Sequence, residues 1–130
     1  MNTVRHRFGT ASAHYSKVDL DSRIEGATPH QLVAILFEEL LGALDRMAAA
    51  AARKDYSSLG ESQSRALSMI SGLQTSLDME RGGELARNLA AVYAGAAQRL
   101  TAAARARDPA GLTSVRAMIG DIAGAWDAIG

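Results

Sequence analysis

Between Pro29 and Ala52, apolar residues return with a helical period. Leu32, Leu36, Leu40, Leu44 and Met47 share one face, Val33, Phe37 and Leu41 run beside them, and Glu38, Glu39, Asp45 and Arg46 sit opposite. This spacing predicts an amphipathic helix with one buried side. The pattern recurs three times downstream. Leu59, Ala66, Ile70, Leu73 and Leu77 mark a second helix, and Leu85, Leu89, Val92, Tyr93, Ala96, Leu100 and Ala103 a third. Leu112, Val115, Ile119, Ile122, Trp126 and Ile129 repeat in steps of three and four and mark a fourth. No stretch alternates with the period of a strand.

Start signals precede these runs. In Ala27-Thr28-Pro29-His30-Gln31, Thr28 is suited to cap, Pro29 to open the helix and Gln31 to complete a capping box. Asp108-Pro109 repeats that grammar, with a carboxylate at the positive helix end. Ser58-Leu59-Gly60-Glu61 has capping-box spacing, and the third helix is expected to begin after Gly82-Gly83, with Glu84 in its first turn. Helices of roughly 20 residues are about 30 Å long. The connections ARKDYS, MERGG and Arg107-Asp108 are short enough to make consecutive helices antiparallel neighbours. The expected fold is all-α, an antiparallel up-down four-helix bundle over residues 27–130. Residues 1–26, of mixed polarity and no clear period, are expected to form a tail or cap segment that is mobile in part.

Composition narrows the chemistry. A chain of 130 residues fits one domain, and with no cysteine it has neither a disulfide framework nor a thiol nucleophile. Lys+Arg and Asp+Glu balance at 14 each, without the basic excess of a nucleic-acid binder. No apolar run is long enough to insert in a membrane, and the basic N-terminus lacks the apolar core of a secretory signal, so a cytoplasmic location is expected. The Gly-Gly pair is no phosphate cradle: no strand precedes it, no lysine follows, and Glu84 would repel an anion. It is read instead as the positive-φ end of the second helix and a hinge into the third. His6 and His14 lie in the tail, His30 in a first helical turn, and no Glu-x-x-His motif of a bundle di-metal site occurs. No Ser-His-Asp set gathers in one layer. Asn88 is a lone polar residue placed to bond across the second turn. No catalytic residue, metal, cofactor or small-molecule substrate is therefore expected.

The surface is more distinctive. On the fourth helix, Ala117, Gly120, Gly124 and Ala128 form a second stripe opposite the core. The third is flanked by Ala86, Ala90, Ala94 and Ala97, and the second turns Ser64, Ser68, Ser71, Gly72 and Thr75 outward. Alanine is a good helix former, so solvation alone accounts for part of this. Glycine inside a helix, however, costs up to about 1 kcal/mol against alanine. Gly42, Gly72, Gly95, Gly120 and Gly124 carry that cost. Close approach by another helix is the natural compensation. That helix could belong to a client, or to a second copy in a small adaptor or dimerising scaffold.

The run SLDMERGGELARNLAAVYAGAAQRL resembles the FliS family of flagellin export chaperones. The matching positions are Leu77, Asp78, Glu80, Gly82, Gly83, Glu84, Leu85, Ala86, Asn88 and Leu89, then Tyr93. Upstream, Ala27-Thr28-Pro29-x-x-Leu32-Val33-x-x-Leu36-Phe37-Glu38 is similar to the family's opening. Tyr15, Lys54-Asp55-Tyr56 and Trp126 match its N-terminal tyrosine, first-loop pattern and late tryptophan. The similarity runs in order from about Tyr15 to the C-terminus. The basic extension before Tyr15 is long for the family, and the body is rich in alanine.

The resemblance implies a non-enzymatic chaperone. It would hold the C-terminal helix-forming segment of flagellin, prevent premature polymerisation and, when loaded, meet the export gate of the flagellar type III apparatus. Three client-contact patches are expected. The first is the outward or groove-lining set Met69, Ala90, Ala94, Ala97, Ala117, Met118, Gly120 and Gly124; the second is Tyr56 in the first loop; the third is Tyr15, Val18, Leu20 and Ile24 in the tail. The tail's apolar spacing also fits a segment that folds back over the bundle and competes with the client.

Overall fold

In the computed structural model residues 19–129 are described, and their regular structure is helix alone. The helices are α1 (residues 19–25), α2 (Pro29–Ala52), α3 (Tyr56–Thr75), α4 (Met79–Arg105) and α5 (Pro109–Ala128).

The helix starts follow local hydrogen bonding. Thr28 is extended at φ −68°, ψ 164°. Its Oγ1 accepts from Gln31 N at 3.2 Å, and its own N–H donates to Gln31 Oε1 at 3.0 Å, so the expected capping box forms. The start of α3 differs from expectation. Asp55 is the cap, its carboxylate accepting from Ser58 N at 3.1 Å and Ser58 Oγ at 2.7 Å, so α3 begins before Ser58. Tyr56 is therefore the first residue of α3, not a loop residue. Aspartate and serine are equally good caps, and here the end of α2 decides between them. Lys54 turns left-handed at φ 61°, which lets Asp55 N donate to Ala50 O at 2.9 Å. The α4–α5 connection repeats this device. Arg107 has φ 54°, and Asp108 N donates to Ala103 O at 2.9 Å. Asp108 holds the N-cap position of α5 without a side-chain cap bond.

The Gly-Gly pair is not the hinge between α3 and α4. The link from α3 to α4 is residues 76–78, and Asp78 caps α4 by accepting from Glu80 N at 3.2 Å and Arg81 N at 3.0 Å. Gly83 does take a positive φ, 52° with ψ −127°, but as a kink inside α4. The kink folds the first turn tightly onto the next: a Cβ on Gly82 would lie 2.6 Å from Ala86 Cβ.

The long helices run antiparallel. Arg65 meets Glu39 and Gly72 lies beside Leu36. Arg116 meets Asp45 and Trp126 meets His30. Gly111 lies beside Ala103, and Arg99 beside Met118. In each pair of contacts one helix ascends as the other descends, and the short 76–78 link supplies the remaining reversal. Helix α2 packs most extensively, between α3 and α5, while α4 closes the bundle with lighter contact on both sides.

Leu40, Leu44, Met47, Ile70, Leu73, Leu100, Leu112, Val115 and Ile119 form the fully buried centre. Each large aliphatic side chain there contributes roughly 1.5–3 kcal/mol relative to exposure. Phe37 and Tyr93 meet edge to face, centroids 6.3 Å apart, joining α2 to α4. Two expected core positions are not core: Leu85 is 68% and Ile129 75% exposed. The register that sets Ala103 beside Gly111 places Leu85 level with Ile129, just past the last turn of α5. Just after the Gly83 kink, Ala86 takes the buried position instead, at 4% exposed. No helix among the described residues is long and apolar enough to cross a membrane.

Candidate docking surface

Helical phase and the observed contacts assign a neighbour to each flank. On α3, Arg65 and Gly72 face α2, so Gly60, Gln63 and Leu67 on the other flank face α4. On α4, Arg99 and Ala103 face α5, so Ala90, Ala94, Ala97 and Thr101 face α3. The seam between these flanks is uncharged. The only charges of α3, Glu61 and Arg65, fall on its α2 side. Between Arg87 and Arg105, α4 carries one charge, Arg99, whose guanidinium is engaged with α5 through Met118 Sδ at 3.4 Å and Ser114 Oγ at 3.5 Å. The clear lane is about 25 Å long at 1.5 Å per residue. Towards its lower end an open depression of about 370 Å³ is lined by Ala97, Gln98, Thr101, Ala102 and Arg105.

The glycines separate into two kinds. A Cβ on Gly72 would press on Leu36 Cδ1 at 3.3 Å, so the bundle's own packing favours glycine there. At Gly60, Gly95 and Gly124 an added Cβ would meet nothing within 4 Å. The free bundle has no packing need for glycine at those three places.

The expected contact residues do not converge on one pocket. Ala90, Ala94 and Ala97 line the α3–α4 seam, Ala94 exposed and the other two half-buried. Met69 is half-buried on the α2 side of α3, against the core. Met118 is half-buried at the α4–α5 seam. Ala117 and Gly124 are exposed on the outer face of α5, and Gly120 is half-buried near Leu41. Tyr56 stands at one end of the bundle, with the Arg107 guanidinium 3.7 Å above its ring. Leu20 is 6% exposed, so it is open to a client only if α1 lifts away; Ile24 is half-buried. Tyr15 and Val18 lie outside the described residues. Helix α1 is held by Arg23, which reaches Glu38 at 2.7 Å and Glu39 at 3.6 Å, while Arg65 holds Glu39 from α3 at 2.8 Å. The seam residues Gly60, Gln63 and Leu67 were not expected from sequence. Their signal was the absence of charge on one flank of the second helix, readable only once its neighbours are known.

The motif positions build the bundle. Asp78 caps α4, Glu80 favours the positive end of that helix, and Gly82-Gly83 make the kink that precedes Glu84. Leu77 and Leu89 are half-buried against the core. Burial pushes the Tyr93 phenol up from its ordinary pKa, keeping it neutral. Trp126 stacks on His30 at 4.6 Å and donates from Nε1 to His30 O at 3.1 Å, tying the end of α5 to the start of α2. Asn88 is exposed and makes no side-chain hydrogen bond among the described residues, so the expected bond across the turn is not formed. Among the described residues no three His, Asp or Glu side chains gather as metal ligands.

Fold and surface together define a small all-α bundle whose distinguishing feature is a smooth, charge-free lateral seam. The chain belongs to the FliS family: the family model described as Flagellar protein FliS matches residues 11–130. It is 35% identical over 116 residues to the Flagellar secretion chaperone FliS of Salmonella typhimurium, covering 88% of this chain and 86% of that one. It is 35% identical over 118 residues to the Flagellar secretion chaperone FliS of Vibrio cholerae, covering 88% and 85%. The Flagellar secretion chaperone FliSB of Pseudomonas aeruginosa is 33% identical over 122 residues, covering 92% and 94%.

Proposed function

We propose that this protein is a cytoplasmic flagellar export chaperone. It holds the C-terminal helix-forming segment of flagellin, blocks premature polymerisation and carries the subunit to the gate of the flagellar type III export apparatus, without catalysing a reaction. The observation that carries this reading is membership of a family whose relatives are named flagellar secretion chaperones, joined to the uncharged α3–α4 seam. A disordered segment that folds on binding needs a large apolar contact, because ordering it costs about 2–5 kcal/mol. Small residues spread over several helices offer such a contact without a deep pocket, by helix-in-groove recognition.

The client runs along Gly60, Leu67, Ala90, Ala94 and Ala97. Ala117, Gly120 and Gly124 on the outer and α2-side face of α5, Met118 at the α4–α5 seam and Met69 near the α2–α3 seam are separate further contacts. Helix α1, with Leu20 on its buried face, covers ground the client also uses, and Tyr15 and Val18 precede it in the chain. Flagellin polymerisation followed by light scattering tests the reading. An equimolar amount of this protein suppresses filament growth, whereas Ala94→Arg, which sets a cation in the seam, relieves the suppression. Polymerisation indifferent to the unaltered protein refutes it.

A further inference from the structure

The two left-handed turns lie at the same end of the bundle, since Arg107 of one rests on Tyr56 beside the other. Arg53 and Lys54 flank the first turn, and Arg105 and Arg107 the second; all four are exposed. Of these, only Arg53 has an ion-pair partner among the described residues, Asp55 at 3.5 Å. Three carboxylates stand at this end, and they are outnumbered: Glu61 lies one turn along α3 beside Ser58 and Arg53. Asp55 is engaged by Ser58 at the start of α3, and Asp108 sits at the positive end of α5. The end is therefore net cationic on a chain whose formal charge is zero.

Lys54 and Arg107 occupy φ 61° and 54°, where glycine is the unstrained choice. Cations do complement the carbonyl ends of α2 and α4. That gain is similar in size to the backbone cost of a side chain there, so bundle stability alone gives no net reason for two cations. We infer that this end is a second interaction surface, which captures an acidic protein segment through Arg53, Lys54, Arg105 and Arg107.

The details favour carboxylates over other anions. Three of the four cations are arginines, whose planar fork pairs with carboxylate and phosphate alike. The choice between them rests on the carboxylates of this end, Asp55, Asp108 and Glu61, which repel an extended polyanion more than a short segment. Tyr56, with Arg107 over one face of its ring, is the one large apolar side chain exposed at this end among the described residues, too little to anchor the end in a lipid layer. A long polyanion such as a nucleic-acid duplex would meet Glu61 beside the cluster. The surface caps the bundle and adjoins the flagellin tracks along its sides, since Arg105 also lines the depression beside Thr101 and Arg107 lies over Tyr56.

The test uses the full chain and a fluorescein-labelled poly-Glu peptide, read by anisotropy. Binding is expected at low salt and weakens as salt rises. Lys54→Gly/Arg107→Gly, which glycine's backbone freedom keeps folded, binds about tenfold more weakly, as expected for loss of two of four contacts. Its melting temperature is not lowered. Arg81→Gln/Arg87→Gln, at the other end of α4, binds the peptide like the unaltered protein. The inference is overturned if poly-Glu does not bind, if either pair of substitutions has the same effect, or if phosphatidylserine vesicles or a DNA duplex bind better than the peptide. Those outcomes leave the flagellin reading untouched.

Discussion

Gly83 sits at φ 52°, ψ −127°, a backbone state essentially closed to residues with a Cβ. Gly83→Ala should destabilise the bundle by roughly 1–3 kcal/mol, measured by urea unfolding. Gly124→Ala should do the reverse, since its Cβ would meet nothing within 4 Å. A gain of about 0.5–1 kcal/mol is expected there, accompanied by weaker flagellin binding if, as proposed, the client helix approaches that glycine. Asp55 adds a pH signature. Hydrogen bonds from the Ser58 hydroxyl and backbone hold its carboxyl below the usual range, with Arg53 assisting. A depressed folded pKa means a stabilisation present above the unfolded value and lost as pH falls through the folded one. Asp55→Ala should therefore lower the melting temperature at neutral pH and make little difference in strong acid. At this scale the need for a positive φ at Gly82-Gly83 was legible, but its place inside α4 was not. Asp55 and Ser58, or Asp78 and the glycines, offer rival starts of similar strength, and only the preceding helix's last carbonyls choose between them.

Helices as units were the most legible feature, because four apolar stripes and two prolines mark them independently. Their mutual register was not. Leu85 and Ile129 continue their stripes by spacing, yet lie exposed at the end of the bundle, Leu85 just after the Gly83 kink, where Ala86 is buried in its place. The client patches depend on the same missing information. Met69 and Ala94 looked alike in sequence, yet one faces α2 and the other borders the open seam. Ala94→Arg should thus weaken flagellin binding at least about tenfold while shifting stability by less than about 0.5 kcal/mol, as for ordinary surface changes. Calorimetric titration and thermal melts check the two halves. Helix α1 makes a different prediction. Its hold on Glu38 and Glu39 through Arg23, and the burial of Leu20, describe a docked strap. Deleting residues 1–24 should raise flagellin affinity or leave it unchanged; a large loss would make this segment a direct contact instead.

The whole molecule is neutral but electrically uneven. Arg53, Lys54, Arg105 and Arg107 outnumber Asp55, Glu61 and Asp108 at one end, while Glu25, Asp78, Glu80, Glu84 and Asp127 outnumber Arg23, Arg81 and Arg87 at the other. Such polarity orients an approach to a charged partner, and acts within a Debye length of about 8 Å at physiological salt. The sides between those ends are where the surface loses its charge, and there the central claim stands: an apolar segment of another protein becomes helical by lying along this bundle. Circular dichroism during titration with the isolated C-terminal segment of flagellin measures that most directly. The account predicts a helical signal exceeding the sum of the two components and saturating at a defined ratio. A spectrum equal to that sum at every ratio, with the segment remaining disordered, would contradict it.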